Sequence, residues 1–251
     1  VQEKYLQQAL EKTLLRFPHF LYILRSGLFW YYLEPCEADV KVHIEDKGVC
    51  SQLFFRNERH ILFDVSYYRN RVNLEVYHAV TDGTGAMQFL KYLVCCYLSL
   101  VHPESAGAAL EDEISPAPVS SQEEDSFKRY YQPLKSSSAN KKMIFAHRIK
   151  GICSEQYIAT EGIMSCAEVL SIAKSKDVSL TIFLCSLIVL SIHREMSLDE
   201  EKKPVVLTVP VNLRQYFHSE TARNFFGNIR VSYKFNNGKE DPEDVIATLK
   251  D

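Results

Sequence analysis

The chain has 251 residues, 46% of them apolar and 24% charged, with 29 Lys plus Arg against 32 Asp plus Glu. That is an ordinary globular composition, long enough for one large domain or two smaller ones and for a core without staples. A net charge of −3 argues against a dedicated nucleic-acid binder, which carries a basic surplus. The seven cysteines, Cys36, Cys50, Cys95, Cys96, Cys153, Cys166 and Cys185, are odd in number and never fall in C-x-x-C spacing. Neither a disulfide framework nor a zinc site is expected, and a reducing, cytoplasmic setting is.

In chain order, Lys4 to Arg16 has apolar residues at helical spacing and stops at Pro18. Leu53–Phe55, Ile61–Tyr67 and Val72–Tyr77 are β-rich runs separated by turn-like polar residues at 56–59 and 69–71, and read as antiparallel strands. Thr84 to Val101 is a long helical stretch. Residues 103–126 hold seven acids and no Lys or Arg, with Pro103, Pro116 and Pro118 among them; Lys128, Arg129, Lys135, Lys141 and Lys142 follow. The chain is expected to divide into an N-terminal half, 1–142, ending in a mobile acidic-then-basic loop region over 103–142, and a C-terminal half, 143–251.

In the second half, Met143–Ile149 and Gln156–Gly162 read as strands. Ser165-x-x-Glu168 reads as a capping box opening a helix to Lys174. Val178 to His193 is the longest apolar run, 16 residues interrupted by Ser and Thr. It is too short and too polar for a membrane span, which needs about 20 residues, so a buried helix capped by Ser179 is expected. Val205–Val209 and Asn228–Phe235 read as strands, and Asp241-Pro242 opens a last helix. Helices and strands alternate in mixed order, which makes the class α/β or α+β with a mixed sheet.

The sharpest local pattern is Tyr77-His78-Ala79-Val80-Thr81-Asp82-Gly83, between a strand and a helix. A histidine at a strand end stands on a rigid element, and Gly83 is read as allowing a bend that a Cβ would resist. The same residues are compatible with a core histidine and an aspartate, or Thr84, capping the helix. Other chemistries lack their residues. The chain has no G-x-S-x-G, no phosphate-binding glycine loop, and no H-x-x-x-H or H-E-x-x-H, so no metal site is expected. Cys95 and Cys96 follow each other on a helix, about 100° apart, so at least one belongs in the core.

This segment, followed by T-G-A-M-Q-F-L, resembles the H-x-x-x-D-G signature of coenzyme-A-dependent acyltransferases. That superfamily includes chloramphenicol acetyltransferase, condensation domains and plant BAHD enzymes. Val209-Pro210-Val211-Asn212-Leu213-Arg214 and Asn224-Phe225-Phe226-Gly227-Asn228 resemble the P-V-N-L-R and N-x-x-G-N segments of its alcohol acetyltransferase branch. The resemblance covers the chain from about Tyr5 onward. Tyr77 stands where many relatives have a first His. Relatives are longer, and the D-F-G-W-G-like segment of their second half has no counterpart here, so a truncated second half is expected.

The resemblance implies a chloramphenicol-acetyltransferase-like sandwich of two similar halves, the second incomplete, with a tunnel between them. His78 would be the general base, taking the proton from an alcohol or amine acceptor that attacks the thioester of an acyl-coenzyme A, the acyl group being acetyl by the branch. Acyl-coenzyme A would be a co-substrate, with no permanently bound cofactor. Asp82 would hold the loop through an Arg rather than act as a base; Arg214 is the first choice, with Arg223 and Arg230 as rivals. Tyr77, Asn212, Asn224, Gly227 and Asn228 are the candidates for the substrate tunnel. The alternatives are a non-catalytic or partial condensation-like binding module, and a condensation domain using carrier-protein thioesters. No nucleic-acid partner and no membrane span are expected. Self-association through the incomplete half, around Val178–Ile192, is.

Overall fold

The computed structural model describes residues 1–55, 58–104, 118–133, 145–152, 157–236, 238 and 240–250. The chain forms two compact units. The first joins Val1–Pro133 to Asn212–Phe226, and the second joins Leu134–Val211 to Gly227–Asp251. The segment carrying Arg214 and Asn224, late in the sequence, is thus part of the first unit.

The first unit opens with α1, Glu3–Arg16, whose Leu6, Ala9, Leu10, Thr13 and Leu14 are buried at helical spacing. β1, Tyr22–Ser26, and β2, Tyr31–Pro35, form an antiparallel hairpin with Ile23 opposite Glu34 and Ser26 opposite Tyr31. β3, His43–Ile44, pairs in parallel with β4, Phe63–Tyr68. β4 pairs antiparallel with β5, Arg71–Val76, so this sheet is mixed. α2, Gly83–Val101, follows and packs on α1. Phe17, Phe20, Phe63, Phe89 and Leu93 fill the core between them, with Phe20 and Phe89 stacked at 4.1 Å.

Among the described residues α2 is the one helix that alone is long and apolar enough to cross a membrane. Its Phe89, Leu93 and Cys96 nevertheless lie in this core. Both Cys95 and Cys96 are buried.

The unpredicted β1–β2 hairpin has a plain cause. Its turn signal is the single dipeptide Ser26-Gly27, and the apolar Leu28-Phe29-Trp30 that follows has no Asn, Asp or Pro to strengthen it. Within 103–142, residues 118–133 are not an open loop. They form α3, Val119–Gln122, and α4, Ser126–Tyr130, with Gln122 and Ser126 buried. Thr221 Oγ1 donates to the Glu124 carbonyl at 2.7 Å, and the Ala222 amide to that of Gln122 at 2.8 Å. The rest of that stretch from 105, including Lys135, Lys141 and Lys142, lies outside the described residues.

The second unit holds α5, Cys166–Ser175, and α6, Leu180–His193. It also holds most of β6, Val205–Asn212, and of β7, Phe226–Tyr233, which pair, and α7, Pro242–Lys250. Ser165 accepts from the Glu168 amide and Ser179 from the Ile182 amide, as caps. Val189, Leu190, Val205, Tyr233, Phe235, Val245 and Leu249 form the core, into which α6 presses one side against α7. Leu184, Leu187 and Ile188, on its other side, are 41%, 43% and 49% exposed.

Among the described residues, three expected strands are absent. Leu53–Phe55, 145–149 and 157–162 have no ladder partner, and Tyr157 and Ile158 face solvent. In 145–149 the His147 amide donates to the Pro204 carbonyl at 2.8 Å, one bond rather than a ladder; a β-rich run without a neighbour to take its amides in register does not become a strand. Met143, Ile144 and Gln156 lie outside the described residues.

Candidate active site

β5 ends at Val76, and the chain turns at once, with the Val80 amide donating to the Tyr77 carbonyl at 3.0 Å. His78 sits exposed on this turn. Its side chain borders a cleft of about 620 Å³, lined among others by Leu53, Phe54, Leu74, Val76 and Tyr77. The Phe226 ring stands 5.6 Å from the imidazole, at 59°. Tyr77, 38% exposed, lies against Phe54 at 5.8 Å.

Four residues beyond His78, Asp82 is 6% exposed. Its Oδ1 accepts from the Gly85 amide at 3.0 Å and so caps α2. Its Oδ2 accepts from the Phe225 amide at 2.8 Å and from Arg214 Nη1 at 2.9 Å. The two readings of this aspartate, helix cap and arginine partner, are therefore both realised, one on each oxygen. Burial pushes its pKa up, but the Arg214 hydrogen bond and the two amides outweigh that and hold the carboxyl below its usual range. With both oxygens committed, Asp82 makes no hydrogen bond to the His78 ring.

Arg214 is itself held on several sides. Nε donates to the Thr221 carbonyl at 2.8 Å, Nη2 to the Arg223 carbonyl, and Nη1 also to Asn212 Oδ1 at 3.2 Å. Of the three arginines that the sequence offered, Arg214 is the one on Asp82; Arg223 donates to the Glu123 carbonyl at 3.4 Å. Arg230 lies in the second unit, on β7. Asn212 also accepts from the Arg214 amide at 3.1 Å and donates to Thr84 Oγ1 at 3.3 Å. Its amide is spent on building the loop, and Thr84 serves as its acceptor rather than as the helix cap.

Asn224 Nδ2 donates to the His78 carbonyl at 2.9 Å and to that of Ala79 at 3.4 Å. The late segment thus grips the turn that carries the histidine. Gly227, half-buried, and Asn228, exposed, lie on β7 in the second unit.

Gly83 is the first residue of α2, without a positive φ, and a Cβ there would meet nothing within 4 Å. The freedom ascribed to it is not used. The close approach is at Gly85, where a Cβ would meet the Ala222 carbonyl and the Thr81 hydroxyl. Thr81 Oγ1 donates to that same carbonyl. Gly85, Thr81, Thr221 and Ala222 escaped the sequence reading because only the fold brings residues 81–85 against 221–225.

Among the described residues, no group of three or more His, Cys, Asp and Glu could hold a metal ion. No family model and no curated protein matches the chain. Solved structures do. Polyketide synthase associated protein 5 from Mycobacterium tuberculosis matches with a TM-score of 0.63 at 14% identity, over 98% of this chain and 64% of that one. The first condensation domain of the calcium-dependent antibiotic synthetase, in complex with a substrate analogue, matches at 0.60 and 16%, over 100% and 65%. TRI101 of F. sporotrichioides, complexed with coenzyme A and T-2, matches at 0.59 and 10%, over 98% and 64%. The chain spans about 64% of the length of these proteins. Their shared architecture identifies the fold: this chain has the mixed α/β, chloramphenicol-acetyltransferase-like fold that these condensation domains have.

Proposed function

We propose that this chain carries the histidine half of an acyltransferase that moves an acyl group from acyl-coenzyme A to an alcohol hydroxyl. The observation that carries this reading is His78, exposed beside an apolar cleft on a turn clamped by Asn224 and by the buried Asp82–Arg214 pair. In the proposed reaction the imidazole takes the acceptor's hydroxyl proton as the oxygen attacks the thioester carbonyl. The tetrahedral intermediate then collapses, the C–S bond breaks, and the imidazolium returns the proton to the leaving thiolate. Asp82 holds the turn and stays ionised throughout. A solved neighbour complexed with coenzyme A supports a thioester donor of this kind.

Thiol release from a panel of acyl-coenzyme A donors, with and without alcohols, tests the reading. His78→Ala should lower transfer ~10²–10⁴-fold with the fold intact. Retention of activity within threefold would sink the mechanism. A second reading, a condensation-type domain taking a carrier-bound thioester, is favoured by the match to condensation domains over the whole of this chain. It predicts transfer from pantetheine-linked carrier substrates and none from free acyl-coenzyme A. The exposed side of α6, with Leu184, Leu187 and Ile188, supports the further reading that the chain self-associates through its second unit.

A further inference from the structure

Among the described residues of the first unit, the most exposed apolar group is the tip of the β1–β2 hairpin. Leu28 and Phe29 are each 90% exposed, and Trp30, Tyr31 and Tyr32 behind them are 63%, 53% and 45% exposed. These side chains sit on a defined support. Five residue pairs hold the hairpin in register, and the Gly27 amide closes the loop by donating to the Trp30 carbonyl at 2.7 Å. From Ser26 to Leu33 no side chain is charged. Charge begins at the base, where Arg25 and Arg59 both reach Glu34, at 3.2 and 3.4 Å, two cations against one carboxylate.

The geometry points to this hairpin as an anchor that dips into a lipid surface. The order along it is aliphatic and Phe at the tip, then Trp and Tyr, then a charged collar of Arg25, Arg59, Glu34 and Glu58. A membrane boundary has the same order: acyl chains, an interface that favours amphipathic rings, and phosphates. The dimensions agree. Leu28 lies three residues beyond Arg25, about 10 Å at strand rise, and interfacial anchors bury their apolar groups ~5–10 Å deep. A narrow, uncharged tip with the collar set back is suited to insertion into a fluid layer rather than to a flat protein interface with a polar rim.

A second observation is independent of exposure. Tyr31 contacts Phe54 at 6.2 Å and Phe54 contacts Tyr77 at 5.8 Å, so a row of rings runs from the hairpin to the cleft beside His78. The anchor is therefore continuous with an apolar cleft, and a lipid surface is where an apolar substrate for such a cleft would reside. The lipid contact itself does not depend on the proposed acyl transfer.

Trp30 is the only tryptophan in the chain, so its fluorescence reports on this hairpin alone. Phosphatidylcholine vesicles added to the full 251-residue chain should shift its emission to the blue and carry the protein down on sedimentation. Vesicles containing phosphatidylserine should do so to a similar extent, because the collar arginines are already paired with Glu34. Replacing both Leu28 and Phe29 by Ser removes two large apolar groups and should weaken partitioning at least about 100-fold. Because both side chains face solvent, far-UV circular dichroism should be unchanged. No blue shift and no sedimentation with either vesicle overturns the proposal, as does equal binding by the double variant. A blue shift that grows with protein concentration without lipid, and is lost in the double variant, overturns it in favour of a protein–protein contact.

Discussion

The carbonyl oxygen of Ala222 occupies the space in which a side chain on Gly85 would begin, closer than the 3.0 Å that real Cβ atoms keep. Gly85 lies in the first turn of α2, and Ala222 in the segment that returns to it from the far end of the sequence. The contact is backbone against backbone, so neither partner can swing aside. Gly85→Ala should destabilise the protein by ~1–3 kcal/mol or more through overpacking. Gly83→Ala, in open space at the helix start, should be neutral or slightly stabilising. Urea unfolding of the two variants checks this; equal effects would show that the Ala222 contact gives way freely.

The Asp82–Arg214 pair has 8% side-chain exposure on both partners. Removing one partner leaves the other charge buried, at a cost of ~3–5 kcal/mol. Asp82→Asn should therefore lose stability and acyl transfer together. Arg214→Lys should rescue little, since an ammonium cannot replace a guanidinium that reaches Asp82, Asn212, Thr221 and Arg223 at once. A stable, active Arg214→Lys variant would refute the clamp.

The pH dependence has a definite sign. The folded-state pKa of Asp82 is depressed, so its contribution is complete above the unfolded carboxyl value, about 3.9. That contribution is lost as pH falls through the depressed value. Asp82→Asn should flatten the acid limb of the stability curve below about pH 4, measured as the urea midpoint against pH.

His19 acts in a higher window. It is 5% exposed, and neither ring nitrogen reaches a partner at hydrogen-bonding geometry. Burial first and Arg223 next lower its pKa to about 4 from an ordinary 6.5, while the Ala222 carbonyl opposes the shift. The unfolded chain then binds a proton that the folded chain refuses. Its contribution to stability should be complete above pH 6.5 and lost toward pH 4, by up to about 3 kcal/mol. His19→Phe should remove that loss between pH 6.5 and 4; an unchanged slope would assign the acid sensitivity elsewhere.

Asn224 offers a test of positioning. Its two hydrogen bonds go to the carbonyls of His78 and Ala79, not to the imidazole. Asn224→Ala should cost about 1 kcal/mol of stability. It should lower turnover severalfold more than that implies, with little change in the apparent affinity for the donor. A change confined to donor affinity would make Asn224 a substrate contact instead.

What could be read from the chain alone was whatever depends on neighbours in sequence. The amphipathic spacing of α1, the caps Ser165, Ser179 and Asp241, and the strand–turn–helix around His78 are local, and the structure has them. So is the signature from which Asp82 was singled out. What needed the tertiary structure was everything set by residues far apart. Which arginine meets Asp82 depends on the fold of 212–226 back onto the first unit, 132 residues away in sequence. Which glycine leaves no room for a side chain depends on the Ala222 carbonyl, and it is Gly85 rather than Gly83 of the motif. The unpaired runs at 53–55 and 157–162 have strand composition, but composition supplies no neighbour for their amides. The hairpin tip stayed hidden for the converse reason: an apolar run reads as core until the fold shows that Leu28 and Phe29 face outward.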